Sequence, residues 1–170
     1  MKVVLYMAMT ANGMIATEDD NTPWLKAEWK SFEAAQKKAG NYIMGRRTFD
    51  VSLTANCFPY HGLNIVMTKQ KIDNKWGDNV VFVKTPQEAI NVLKNKKFKT
   101  AFLGGGGQAN AAFMKENLVD EIILDIEPMI FGKGIKLFAE GDFQSKLKLI
   151  GIKKLSKDEI QLRYKVVKEK

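Results

Sequence analysis

The chain has 170 residues, 45% hydrophobic and 27% charged, which is the length and composition of one globular domain, 1–170, with a sizeable core. No apolar run nears the ~20 residues that cross a bilayer, and the short run from Val3 to Met9 ends at Asn12-Gly13 without a small-residue cleavage site, so neither a membrane partner nor a leader is expected. A net charge of +8, with basic residues enriched after 133, admits nucleic acid in principle. No helix-turn-helix, zinc-ligand or RNA-binding strand pattern accompanies it, so the expected partner is a small molecule, with part of the charge attracting a phosphorylated ligand.

In chain order, residues 3–9 read as a buried strand, and Met14 to Ala16 continues it after a turn at Asn12-Gly13. A polar loop, Glu18 to Asn21, leads to a helix from Trp24 to Ala39 that Gly40 stops. Tyr42 to Met44 is a short strand, followed by a helix from Arg46 to Leu53. A loop with Phe58 to Gly62 precedes the strand Asn64 to Met67, and Val80 to Val83 is the next strand. Thr85, Pro86 and Glu88 form a capping signature for a helix to about Asn95. A strand at 100–103 enters Gly104-Gly105-Gly106-Gly107, then a helix runs to about Asn117. Glu121 to Glu127 is a strand and Pro128 to Phe138 is irregular. The chain closes with strands at 147–154 and 160–167 around a turn at Ser156-Lys157-Asp158. The early alternation of strand and helix predicts a largely parallel sheet with right-handed crossovers, and the last two strands predict an antiparallel edge. There is no internal repeat or linker.

The lone Cys57 excludes an internal disulfide, and Cys57 with the lone His61 cannot build a metal site; both read as structural or incidental, in a cytoplasmic setting. The glycine run is more informative. Four glycines clear the turn of side chains, and the following helix aims its free N–H groups and positive dipole end at the space left. The run matches neither G-x-G-x-x-G nor a P-loop, so by itself it signals an anion near a helix start, with a plain flexible loop as the alternative. On a wheel of the helix 24–39, Leu25, Trp29, Phe32, Ala35 and Ala39 share an apolar arc. Glu28 falls inside it, where a carboxylate is costly unless paired with a cation or facing a pocket. Trp29 reads as a core residue.

Three stretches together resemble the dihydrofolate reductase superfamily: Met44-Gly45-Arg46-Arg47-Thr48-Phe49, the glycine run with its helix, and Trp24 with Glu28 and Phe32. Asn12-Gly13-Met14-Ile15-Ala16, Leu118 to Glu121, and Pro128 to Phe138 are more similar to the reductase domain of riboflavin biosynthesis and its stand-alone relatives. The resemblance implies a dihydrofolate reductase-like α/β fold, with a mostly parallel eight-stranded sheet, about four helices and an antiparallel C-terminal pair. It implies an NADPH-dependent reductase of a pteridine- or pyrimidine-like molecule, of the 5-amino-6-(5-phosphoribosylamino)uracil reductase type. The alternative is a non-catalytic nucleotide-binding protein on the same fold. By matching positions, Gly45, Arg46, Arg47, Thr48, Thr68, Lys69, Gly105, Gly106, Gly107 and Gln108 would hold the cofactor, with Ala8 and Ile15 beside the nicotinamide. A cis peptide would join Gly105 and Gly106. Trp24, Glu28, Phe32 and Asp125 would meet the substrate, with Glu28 catalytic. Asp125 stands where dihydrofolate reductases place a Thr, which speaks against folate. Relatives of this type are often homodimers, and the late strands offer an interface.

Overall fold

The computed structural model describes residues 1–168. Eight strands form one sheet in the order β5-β4-β3-β6-β1-β7-β10-β9: β1 Lys2–Thr10, β3 Asn41–Gly45, β4 Leu63–Met67, β5 Val80–Val83, β6 Thr100–Leu103, β7 Glu121–Glu127, β9 Lys146–Lys154 and β10 Ile160–Val167. The first six in this spatial order are parallel, while β10 runs antiparallel to β7 and β9 antiparallel to β10. Two short strands, β2 Met14–Ala16 and β8 Ile135–Lys136, pair separately. The segment 128–138, expected to be irregular, thus contributes one short strand.

Four helices cover the sheet: α1 Lys26–Ala39, α2 Arg46–Thr54, α3 Pro86–Asn95 and α4 Gly107–Lys115. Side chains alternate between sheet faces, so β1 sends Leu5 to one core and Tyr6 to the other. Leu5, Ile43, Ile65 and Leu103 pack with Leu93 of α3 and Phe113 of α4. Tyr6, Tyr42, Met44 and Phe102 pack with Phe32 of α1 and Phe49 of α2. The expected capping of α3 is present: Glu88 N–H donates to Thr85 Oγ1 at 3.1 Å, and the Glu88 carboxylate accepts from Lys84 N–H at 2.7 Å.

The buried face of α1 differs from the expected arc. Glu28, Phe32 and Gln36 are its buried residues, while Leu25 and Trp29 are exposed. Spacing of four residues puts these three in one row under the helix. Gln36 satisfies its amide by donating to the His61 carbonyl at 2.6 Å. Trp29, expected in the core, sits edge-on to Phe32 at 6.3 Å with its outer face open.

Strands β3 and β6 share one ladder pair, Ile43 with Leu103. Asn41 reinforces the junction, donating to the Thr100 carbonyl at 2.8 Å and accepting from Phe102 N–H at 3.0 Å. Beyond Leu103 the chain leaves the sheet, and a crevice opens at the carboxyl ends of β1, β3, β4 and β6. Open α/β sheets place ligands at such ends. Among the described residues, no helix is long and apolar enough to cross a membrane.

Candidate active site

The crevice is a cavity of about 1360 Å³, above the roughly 300–1,000 Å³ of a pocket for one small ligand. It has three parts along its length. The middle is the glycine turn. Gly105 and Gly106 are joined by a cis peptide, as the resemblance implies, and Gly106 caps α4. Only part of the run opens on the cavity. A Cβ on Gly104 would lie 2.0 Å from the Tyr42 ring. Gly105 has φ +95°, and a Cβ there would meet Met7 Sδ at 2.7 Å. Its carbonyl accepts from Gly45 N–H at 2.8 Å, tying the turn to the end of β3. Gly105 therefore joins the scaffold and does not line the cavity, contrary to expectation, because its one open direction is filled by Met7. Gly106 faces the open space, with Thr48 Oγ1 at 3.3 Å and Ile15 Cδ1 at 3.9 Å from its virtual Cβ. The first N–H groups of α4 point into the same space, since an N-terminal turn leaves its donors without helical partners.

One end is basic. Arg46, Arg47, Thr68 and Lys69 line the cavity, joined by Lys84 and Thr85, which sequence reasoning did not single out. The start of α2 is fixed from below by Phe49, which meets Phe58, Trp76 and Phe82 edge-on at 4.9, 5.5 and 5.7 Å. Such pairs contribute about 0.5–1.5 kcal/mol each. Arg46 donates from Nε to both Asp50 oxygens at 2.8 and 2.9 Å and also reaches Gln70. Arg47 pairs with Asp20 at 2.6 Å and with the Glu18 carbonyl. The two arginines are thus held by different partners and do not act as one fork. Lys69 and Lys84 form no ion pair among the described residues.

The other end is aromatic and acidic. Trp24, just before α1, forms one wall with Glu28, Trp29 and Phe32 of α1, and Tyr6 and Tyr42 form the floor. Ser52, Cys57 and Tyr60 close the far side through a linked set of bonds: Ser52 donates to the Thr48 carbonyl at 2.7 Å, and Tyr60 Oη lies 3.0 Å from Ser52 Oγ and 3.4 Å from Cys57 Sγ. Cys57, expected to be structural or incidental, is a wall residue. Trp24 is stacked on Phe131 at 6.0 Å.

Glu28 is 2% exposed and its Oε2 has no hydrogen-bond partner. No cation pairs with it among the described residues, which removes the ion-pair alternative. Burial is the main cause that pushes its carboxyl up to about 8, and Asp125, Glu127 and Glu159 add to it. Asp125, expected to touch substrate, does not reach the cavity wall. Its Oδ2 accepts from Tyr6 Oη at 2.6 Å and its Oδ1 from Gln161 at 2.8 Å, so neighbours on β1 and β10 occupy both oxygens. Burial raises the Asp125 and Glu127 carboxyls too, and raises the Tyr6 hydroxyl with help from Asp125. Among the described residues, no group of three or more His, Cys, Asp or Glu is arranged to hold a metal ion.

Tyr6, Tyr42, Ser52 and Tyr60 were not singled out from sequence. The wheel of α2 held the one available signal, since Ser52 stands four residues after Thr48 on the same helical face.

Residues 47–160 match the sequence model of the family described as RibD C-terminal domain. Uncharacterized protein YwjB of Bacillus subtilis (strain 168) is 31% identical over 169 residues, covering 96% of this chain and 97% of that protein. The chain belongs to the RibD C-terminal domain family. Solved structures share its fold. A protein of Shewanella sp. PV-4 named for riboflavin biosynthesis superposes with TM-score 0.81 at 23% identity, over 99% of this chain and 100% of the other. A diaminohydroxyphosphoribosylaminopyrimidine deaminase/5-amino-6-(5-phosphoribosylamino)uracil reductase of Thermotoga maritima does so with TM-score 0.76 at 16% identity, over 98% of this chain and 56% of its own length. The fold is thus the reductase-like fold of the RibD family. The RibD match begins at Arg47, so α1 with Trp24, Glu28 and Phe32 lies outside the matched segment.

Proposed function

We propose that this RibD-family chain is an NADPH-dependent reductase of a small, flat heterocycle of the pteridine or pyrimidine class. The observation that carries this reading is the polarity of one continuous cleft. Cations stand at one end, a glycine-capped helix start at the middle, and a single buried, unpartnered carboxyl at the other end. The residues fit a dinucleotide phosphate. Gly106 leaves space that any Cβ would narrow, and the α4 N–H groups with Thr48 and Gln108 are donors for a pyrophosphate. Lys69, Lys84 and the outer edge of Arg46 suit an adenosine-side phosphate. Ala8 and Ile15 give the cavity an apolar wall next to the glycine turn, suited to a nicotinamide ring.

When bound, NADPH supplies the hydride. The chain's own task is to orient the acceptor and provide the accompanying proton. Trp24, Trp29 and Phe32 give a flat ring apolar surfaces, and excluding water from this end strengthens every polar contact there. Glu28 holds a proton at neutral pH because burial and three neighbouring carboxyls disfavour its charge. Its carboxyl, on the cavity wall, offers that proton to a ring nitrogen or carbonyl oxygen of the substrate, which suits a general acid working near pH 7. Tyr6, held by Asp125 and Ser31, fixes the floor beside it.

A second copy of the chain is proposed to pack on β9 and β10. Leu147, Leu149, Ile152 and Ile160 lie exposed on the sheet beyond β7, where no helix covers it. An antiparallel edge of this kind pairs with itself about a two-fold axis.

The test is NADPH oxidation followed by absorbance, with a panel of dihydropterins, aminouracils and simple carbonyls. Turnover with a ring substrate and not with simple carbonyls is expected. Tight NADPH binding without turnover of any compound would indicate a non-catalytic nucleotide-binding protein.

A further inference from the structure

The substrate end of the cavity lacks a cation. Its walls carry aromatic rings, the hydroxyls of Tyr6, Tyr42, Ser52 and Tyr60, and Glu28, while Lys136, which also lines the cavity, stands beside Gly107 of the glycine turn and pairs with Glu140 at 3.4 Å. Behind Glu28 stand Asp125, Glu127 and Glu159, all buried, and the last two each have an oxygen without a hydrogen-bond partner. The nearest arginine on α2 is Arg47, five residues before Ser52 and so about 7.5 Å along the helix axis. Arg46 is engaged by Asp50 and Gln70, and Arg47 by Asp20. On the α1 side, Lys26 and Lys30 line a separate surface hollow with Lys153 rather than this cavity.

A phosphate monoester carries close to two negative charges at neutral pH. Buried anions need charge-assisted partners, and a dianion beside a cluster of carboxyls meets repulsion instead. We infer that the substrate of this chain is an unphosphorylated heterocycle that presents a ring acceptor with an adjacent N–H to the Glu28 carboxyl, so that the reaction differs from the phosphoribosyl step after which the Thermotoga maritima relative is named. This inference rests on the proposed reductase reading. It follows from the residues of α1, of the end of α2 and of the loop to Tyr60, and the α1 wall lies outside the segment that matches the RibD model.

Two pairs of probes, each differing by one phosphate, test it: 5-amino-6-(5-phosphoribosylamino)uracil with its dephosphorylated riboside, and dihydroneopterin monophosphate with dihydroneopterin. Each is titrated calorimetrically into the protein at neutral pH, with and without saturating NADPH. In at least one pair, the unphosphorylated member should bind tenfold or more tightly than its phosphate. Ala55→Arg, at an exposed lining position just after α2, should raise the affinity of that phosphate at least fivefold while leaving NADPH affinity unchanged. A preference below tenfold in every pair, a preference for either phosphate, or no binding by any of the four compounds overturns the inference. A separate NADPH titration reports on the cofactor reading. Its failure would refute that reading while the probe comparison is still decided in the cofactor-free protein.

Discussion

Glu28→Gln separates a protonated pocket acid from every structural role the residue could have. The unfolded chain releases the Glu28 proton near its ordinary value of 4.5, whereas the folded chain holds it up to about 8. Between those values the native state binds the extra proton, so stability falls as pH rises, at about 1.4 kcal/mol per pH unit. From pH 5 to pH 8 the loss sums to about 4 kcal/mol, and above pH 9 both states are ionised and the cost stays constant. Gln carries no charge at any pH. The variant should therefore match the parent within ~1 kcal/mol at pH 5 and exceed it by about 4 kcal/mol at pH 9, roughly 8–16 °C in Tm for a chain of this size. Asp125 and Glu127 are raised by burial with the same sign, but they remain in both proteins, so the difference isolates Glu28. Thermal melts of the two proteins at both pH values are the assay. Turnover of Glu28→Gln should fall about 10²-fold with NADPH affinity unchanged. A variant less stable than the parent at every pH, with turnover per folded molecule intact, would refute the reasoning and leave Glu28 a packing role only.

Gly106→Val should fold, because its φ of −74° suits an L residue and no backbone atom meets the new Cβ, yet NADPH affinity should drop at least 100-fold; normal affinity would show that the cofactor does not pass over Gly106. Gly104→Ala should do the opposite kind of damage: its Cβ would fall inside the Tyr42 ring, so a fall of 3 °C or less in Tm would contradict the packing described. Ile152→Lys should convert a dimer to a monomer in sedimentation experiments at micromolar protein; a monomeric parent would dispose of the interface on β9 and β10.

The elements were legible because their signals were local. The span of β7 at 121–127 is the one expected, and α3, announced by Thr85, Pro86 and Glu88, has the expected start and end. Of the short pair, β2 at Met14–Ala16 matches the brief strand continuation read there, whereas β8 left no such signal, since two residues are too few for a periodicity. The site was legible in part. Positions carried by a motif, such as Gly45 to Thr48 and Gly106 to Gln108, line the cavity together. Asp125 shows the limit: its place on β7 was correct, but Tyr6 and Gln161, distant in sequence, take up its oxygens. Trp29 shows another, since the wheel gave its direction correctly while the helix happens to overhang a cavity there instead of the core. Within the glycine run, Gly105, Gly106 and Gly107 were the positions expected to hold the cofactor. Gly104 and Gly105 are needed by Tyr42 and Met7, partners that no local pattern reveals.

The central claim is that the cleft is built for NADPH. Trp24 and Trp29 line it, so their emission reports occupancy directly. Charge-assisted bonds to the 2′-phosphate from Lys69, Lys84 or Arg46 are worth roughly 1.5–3 kcal/mol each, which sets the expected margin over NADH at tenfold or more. The decisive measurement is tryptophan quenching titrated with NADPH and NADH, in the parent and in Lys69→Ala. Saturable quenching by NADPH at tenfold or lower concentration than NADH, with the margin narrowed in Lys69→Ala, is the predicted result. Absent saturation, or equal affinity for the two cofactors, would contradict the account.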